Sequence, residues 1–179
     1  YYSTDNGLSN SLINKIYQDS RGFIWIATEY GLNKFDGVRF TIYGHIPGDS
    51  TSLVNNYVRT VYEDGGGRLH IGTLTGLMRY EPGIDSFRVT KMLFEGREVK
   101  PHVTSVTELR SGELLVATSG RGVFQLNEDG NAYPAEGINV PSIYLNTVFE
   151  DSAGFIWIGS ENDGLFRVDR RTGRMVIYN

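Results

Sequence analysis

Apolar and polar positions alternate along INKIYQ, residues 13–18, as they do on a strand with one covered face. The next run, FIWIAT from Phe23, is apolar on both sides and is bounded by the turn-forming groups DSRG and EYG. A strand covered on both faces is predicted, which in an antiparallel meander requires a sheet stacked on each side. LNKF and RFTIY follow, separated by DGV. Roughly 45 residues thus predict one meander of four strands, a to d. No segment carries a 3.6-residue apolar period over helical length.

The pattern then repeats. Trp25-Ile26-Ala27-Thr28 aligns with His70-Ile71-Gly72-Thr73, Leu115-Val116-Ala117-Thr118 and Trp157-Ile158-Gly159-Ser160. The a–b turns keep the register at Gly22, Gly67, Gly112 and Gly154, and the a strands keep it at Ile16, Val61, Val106 and Val148. A Gly with an aliphatic residue follows each time, at Gly31-Leu32, Gly76-Leu77, Gly122-Val123 and Gly164-Leu165. Four such units, at roughly 8–52, 53–97, 98–141 and 142–179, predict an all-β fold of β-propeller blades, each a four-stranded antiparallel repeat. A single sandwich does not explain four equivalent units.

Leu8 and Asn10 correspond to Leu53 and Asn55, which places Tyr1-Tyr2 near the end of an outer d strand belonging to another blade. RMVIYN already serves as the outer strand of the fourth copy. The expectation is therefore the N-terminal part of a larger propeller, of about seven blades, whose closing blade lies beyond Asn179. A compact ring of four is the minor alternative.

Composition narrows the function. Net charge is −4, which argues against a nucleic-acid partner, since that usually needs a basic face. The chain has no Cys, so disulfide frameworks and thiolate metal sites are excluded. The 11 Tyr and 9 Phe favour strands. No apolar run reaches the length of a membrane span.

Candidate chemistry is sparse. Asp19, Glu63, Asp64, Glu150 and Asp151 recur where the first turn opens, and turn capping explains them better than acid–base work. His70 takes the place of a repeat aromatic, which predicts packing or a shared hydrogen bond. His45 and His102 are expected in the connections between blades, and no His spacing suggests a metal site. DGGGRL from Asp64 is the hairpin turn equivalent to DSRG and lacks the Lys-Ser/Thr end of a phosphate loop. No catalytic residue, cofactor or metal is assigned.

Strand order gives the site its expected place. In an up-and-down meander the a–b and c–d turns share one face, while the b–c turns and d–a connections share the other. The a–b turns are alike: DSRG, DGGG, RSG and DSAG. The b–c turns differ: TEYG, TLTG, TSGRG and SENDG. So do the connections GHIPGDSTSLVNN, FEGREVKPHV and AEGINVPSIYLN. Varied loops on a rigid scaffold are where ligands are usually met. Tyr30, Arg121, Glu161 and Asn162 are the expected ligand-binding residues, Tyr30 by stacking on a sugar ring and the others by hydrogen bonding. Solvated loops, or loops packed on a partner domain, are the competing reading.

IYQDSRGFIWIATEYGLNKFDG, with GLSNSLI before it, resembles the two-component regulator propeller repeat. VFEDSAGFIWIGSENDGLFRVD matches equally well. The second copy departs at His70, and the third lacks both the turn Asp and the b-strand aromatic. The resemblance implies a periplasmic sensor region of a Bacteroides-type hybrid two-component protein anchored in the inner membrane. It further implies more propeller blades, an Ig-like domain, a membrane span outside this chain, a histidine kinase, a homodimeric full-length sensor and an oligosaccharide ligand. Ligand binding would bias the kinase by population shift. A carbohydrate-active hydrolase or lyase, and a non-catalytic assembly scaffold, stand as alternatives.

Overall fold

The structure is a computed structural model that describes residues 2–178. Its strands form four sheets, distributed over two units that meet between Val89 and Thr90. The short helical element among the described residues is a 3-10 turn at Thr4–Asn6.

The first unit holds two sheets. One runs β1 (Ile13–Gln18), β2 (Ile24–Thr28), β3 (Gly31–Phe35), β4 (Phe40–Tyr43). The other runs β5 (Val58–Glu63), β6 (Leu69–Thr73), β7 (Gly76–Glu81), β8 (Ser86–Thr90). In both, strand order in space is strand order in sequence, the meander expected from the pattern. Trp25, Ala27 and Leu32 of the first sheet pack with Val58, Val61, Leu69, Ile71 and Met78 of the second in one buried cluster. All five residues of β6 are buried, as a run apolar on both sides requires. Burying one such large side chain contributes about 1.5–3 kcal/mol, so this joint is what holds the two sheets together.

An outer polar clasp supplements the core. The hydroxyls of Tyr43 and Tyr80 both donate to Asp85 Oδ1. Lys34 Nζ donates to Tyr80 Oη at 3.1 Å and lies over the rings of Phe23 and Trp25. The two phenols hold the Asp85 carboxyl below the usual carboxylate range.

The second unit also holds two sheets. The third sheet contains β9 (Met92–Phe94), β10 (Arg97–Val99), β11 (His102–Glu108), β12 (Leu114–Ser119), β13 (Gly122–Leu126) and β14 (Ala132–Pro134). The fourth is β15 (Leu145–Glu150), β16 (Ile156–Ser160), β17 (Leu165–Asp169), β18 (Arg174–Tyr178). Leu115, Ala117 and Val123 pack with Leu145, Val148, Ile156, Ile158 and Phe166.

Two expectations need correction. FEGREVKPHV is not a plain connection: Phe94 ends β9, Arg97–Val99 pairs back on it, and Ala132↔Met92 joins this hairpin to β14 in parallel. The third sheet therefore has six strands in the order β10-β9-β14-β13-β12-β11. A two-residue turn, Glu95-Gly96, with both residues at positive φ, makes the hairpin possible. His102 opens β11 rather than lying in a connection. Tyr2 packs its ring edge-on against those of Phe35 and Phe40 at 5.1 and 5.4 Å, as Tyr43 at the end of β4 packs on Tyr80 and Phe87. Tyr1 lies outside the described residues.

The first strand of each meander carries a bulge at the same repeat position, where the register skips Asn14, Arg59, Thr104 and Asn146. The bulge turns two of these side chains toward the next sheet. Asn14 Nδ2 donates to the Val58 carbonyl at 2.8 Å, and Thr104 Oγ1 donates to the Leu145 carbonyl at 2.8 Å.

Candidate functional site

The first turns resolve into architecture. Asp19 Oδ1 accepts from the amides of Arg21 and Phe23, while its Oδ2 accepts from Trp25 Nε1 at 2.8 Å. Asp151 does the same with Ala153, Phe155 and Trp157. Asp64 caps Gly66 and Arg68, and its Oδ2 meets His70 Nε2 at 2.8 Å. The third copy replaces the pair with Leu109 and Leu115, both buried.

Glu63 and Glu150 part company with the turn Asp residues, contrary to the expectation that all five carboxylates cap turns. Glu63 takes the Ser20 amide and hydroxyl at 2.6 and 2.7 Å, and Glu150 takes the Arg110 amide at 2.7 Å. Each latches its own sheet to the preceding one. The cleft on this face between the third and fourth sheets, about 510 Å³, is lined in part by groups already engaged. Arg170 there binds Glu113, and Glu113 also accepts from the Ser111 hydroxyl. Carboxyls whose acidity the fold alters, Asp36, Asp49, Asp64, Asp85, Asp129, Asp151 and Asp169, are all held below the usual range. A general acid for glycoside cleavage requires the opposite shift.

The other face is built differently. Every b–c turn is closed by the recurring Thr or Ser: Thr28, Thr73, Thr118 and Ser160 donate to the carbonyls of Gly31, Gly76, Gly122 and Gly164. Backbone hydrogen bonds then fasten the turns to the connections. Glu29 N donates to Leu12 O, and Gly31 N to Asn56 O. In the second unit Gly120 N donates to Ile143 O, and Glu161 N to Tyr144 O. The b–c turns and connections therefore share a face within each unit, as the strand order requires.

The four expected ligand-binding residues fall on this face of their units. In the first unit, Tyr30 is fixed through its amide to Thr28 Oγ1, and the residue is 67% exposed. In the second unit, the Arg121 guanidinium stands over the Phe94 ring, 5.4 Å from its centroid. Among the described residues lining a groove of about 370 Å³, Arg121 alone is charged, and Phe94, Val123, Ile138, Asn139 and Met175 are among the walls. Asn162 lines a second cleft of about 540 Å³, and Pro141 borders both. Glu161 Oε1 accepts from Ser119 Oγ at 2.8 Å, tying the two b–c turns together. It acts as a strut between the turns that carry Arg121 and Asn162.

Phe94 and Ser119 were not legible as site residues. Phe94 gains its place from the β9–β10 hairpin, and Ser119 from the bridge of its backbone to Tyr144. Among the described residues no group of three His, Cys, Asp or Glu is arranged to hold a metal ion.

Repeated meanders stacked face to face, with uniform turns on one side and varied turns on the other, define β-propeller blades. Residues 7–30 and 137–162 match the two component regulator propeller family. Both segments run from the connection through strands a and b to the b–c turn. Over its whole length the chain is similar to the extracellular domain described as part of a hybrid two component system of B. thetaiotaomicron, at 29% identity and a TM-score of 0.89. It covers 26% of that chain. A second such extracellular domain from B. thetaiotaomicron shares the fold at 22% identity and a TM-score of 0.80, over 93% of this chain and 25% of the other. Histidine kinase P4 of Formosa agariphila is 52% identical over 48 residues, which is 27% of this chain and 4% of that protein. The chain thus spans a small part of the relatives it matches. No helix among its described residues is long and apolar enough to cross a membrane.

Proposed function

We propose that this chain is part of the ligand-sensing region of a hybrid two-component protein, on the periplasmic side of an inner membrane. Its ligand is a glycan fragment and its output is control of a histidine kinase. The repeats at 8–52, 53–97, 98–141 and 142–179 act as four blades of a ring of about seven, completed by other parts of the same protein. An Ig-like domain and a second sensor subunit carry the signal onward.

The observation that carries this reading is the division of labour between the two faces. Carboxylates on the a–b face are consumed by capping and latching. On the b–c face of the first unit, Tyr30 is presented on a turn held by Thr28, and on that of the second the Arg121 groove stands open beside the Asn162 cleft. In the first unit an exposed phenol ring offers an apolar plane to a sugar; in the second, Arg121 and Asn162 offer hydrogen-bond donors to sugar oxygens. Similarity along the whole chain to an extracellular domain of a hybrid two component system supports the placement.

The test is calorimetric titration of the intact sensor region with a panel of oligosaccharides. One should bind, and Tyr30→Ala, Arg121→Ala and Asn162→Ala should weaken binding without lowering the unfolding midpoint. Turnover of a bound oligosaccharide would replace this reading with the enzyme. Failure of the whole panel would replace it with the scaffold.

A further inference from the structure

Tyr144 stands immediately before β15, and the backbone around it is fixed from several sides. Its carbonyl accepts from Glu161 N at 2.9 Å, and its amide donates to Ser142 Oγ at 3.3 Å. Ser119, the last residue of β12, pairs with it in a single antiparallel bridge. Tyr144 is thus seated between the b–c turn of the third sheet and that of the fourth, both within the second unit.

The same frame recurs. Asn10 Oδ1 and Asn55 Oδ1 accept from the amides of Leu12 and Tyr57 at 2.7 and 2.8 Å. The carbonyls of Leu12 and Tyr57 accept from the Glu29 and Leu74 amides at 3.2 and 3.0 Å. The frame is architecture, but the side chain it holds changes from copy to copy: Leu12, Tyr57, His102 and Tyr144. A ring kept for packing would be covered, yet Tyr144 is 52% exposed. A tyrosine on a fixed backbone has few torsions left to lose, so it binds at a low entropic cost.

The surroundings of the ring are polar. A Cβ on Gly120 would lie 3.9 Å from Tyr144 Cε1, so the ring borders a piece of turn that has no side chain of its own. Ser119 Oγ and Glu161 Oε1 are joined at 2.8 Å across the two turns, and a carboxylate engaged once keeps sites for further donors. Arg121 follows Gly120, and its groove runs on to Ser142 and Ile143, the residues just before Tyr144. A pyranose has the matching parts: an apolar C–H face for the ring, and hydroxyls at its edge for the carboxylate and the guanidinium. An apolar protein surface placed here would leave those polar groups without partners.

We propose that Tyr144 is a sugar-binding residue. Its ring stacks on one pyranose of an oligosaccharide, whose hydroxyls donate to Glu161 and whose next unit enters the Arg121 groove. This rests on the glycan-sensing reading above and extends it, because that reading places stacking at Tyr30 in the first unit and gives the second unit hydrogen-bond donors alone. The ligand of the second unit is then a chain of more than one sugar, with one unit for the ring and another for the groove.

The test is calorimetric titration of the intact protein with a panel of neutral and uronate-containing oligosaccharides and with their constituent monosaccharides. For an oligosaccharide that binds, Tyr144→Ala and Tyr144→Leu should each weaken binding at least about tenfold at an unchanged unfolding midpoint. Tyr144→Phe keeps the ring and should stay within about threefold of the wild type. Tyr144→Trp should keep binding and add an emission that shifts as the sugar covers the indole, which a merely structural residue would not report. The constituent monosaccharides should bind at least about tenfold more weakly than the oligosaccharide. An oligosaccharide that binds the Ala and Leu variants as well as the wild type, leaves the added emission unmoved, or is matched by a monosaccharide overturns this assignment while the sensing reading stands. Binding of no member of the panel overturns both.

Discussion

Asp19 and Trp25 form one unit across the a–b turn: a single carboxylate closes the hairpin with Oδ1 and satisfies the buried indole N–H with Oδ2 at 2.8 Å. Asp151 and Trp157 repeat it, and Asp64 with His70 keeps the geometry while changing the donor. Leu109 with Leu115 abandons it as a pair. The donor and acceptor are kept together or lost together because either one alone would leave a buried polar atom unpaired.

Asp19→Ala should therefore cost about 2–4 kcal/mol, combining an orphaned indole N–H with the loss of two turn hydrogen bonds. Asp19→Leu should cost about 1–2 kcal/mol less when Trp25→Leu is already present, since the double variant copies the third repeat. Urea unfolding of the four proteins in the cycle measures this. Additive costs would show that the two side chains do not act as a unit.

The latches between sheets predict a local effect. Glu63, itself half-buried, holds the amide and hydroxyl of the exposed Ser20. Glu63→Ala should lower stability by only about 1 kcal/mol, because solvent reaches the contact at Ser20 and screens the charge. The Ser20 amide, however, should lose most of its protection in hydrogen exchange. Glu150→Ala should do the same to the Arg110 amide. Unchanged exchange at both amides would show that the latches do not persist in solution.

Much of this was legible along the chain, and what was missed has a common cause. The four meanders, the turn glycines and the shared face of b–c turns and connections follow from local periodicity and turn chemistry, which a sequence displays directly. Glu63 and Asp64 are adjacent and both acidic, yet strand pleating points one toward the preceding sheet and the other into its own turn. The β9–β10 hairpin was hidden because MLF and REV are too short for a period, and their pairing to Ala132 spans a distance no local pattern reports. The Glu161–Ser119 hydrogen bond was hidden in the same way, since its partners lie 42 residues apart in sequence.

The Asp64–His70 pair predicts a pH dependence. Burial holds the His70 imidazole below its ordinary pKa, against the pull of Asp64. Asp64 stays below the usual carboxylate range because its partners outweigh its own burial. Above about pH 6.5 His70 is neutral in the folded and unfolded chain alike and adds no dependence. As pH falls through that value the unfolded chain gains a proton that the folded chain resists, so stability drops. The Asp64 contribution is lost at lower pH, from about 4 downward, as its folded carboxylate is finally protonated. The melting temperature should therefore fall between pH 7 and 5 in the wild type. His70→Trp, which restores the donor used at Trp25 and Trp157, should flatten that first step and leave the acid step in place. An identical slope in the variant would assign it to other groups.

Gly31 and Gly22 both sit at positive φ, +117° and +89°, but only one is crowded. A Cβ on Gly31 would lie 2.7 Å from the Tyr43 carbonyl oxygen, backbone that pairs with Leu32, whereas nothing lies within 4 Å of a Cβ on Gly22. Gly22→Ala should thus cost about 1–2 kcal/mol, the strain of a left-handed side-chain-bearing residue. Gly31→Ala adds a clash that only a shift of β4 can relieve, and it threatens the 2.7 Å bond from Gly31 N to Asn56 O. Its cost should exceed that of Gly22→Ala by about 2 kcal/mol or more, on the scale of other overpacked positions. The Tyr43 hydroxyl sits in the Asp85 clasp and the Gly31 turn carries Tyr30, so the same shift should disturb both. Chemical unfolding ranks the two costs, and amide spectra localise the disturbance to the Tyr30 turn and β4. Equal costs would mean that β4 yields freely, and that the turn presenting Tyr30 is not held as rigidly as its hydrogen bonds imply.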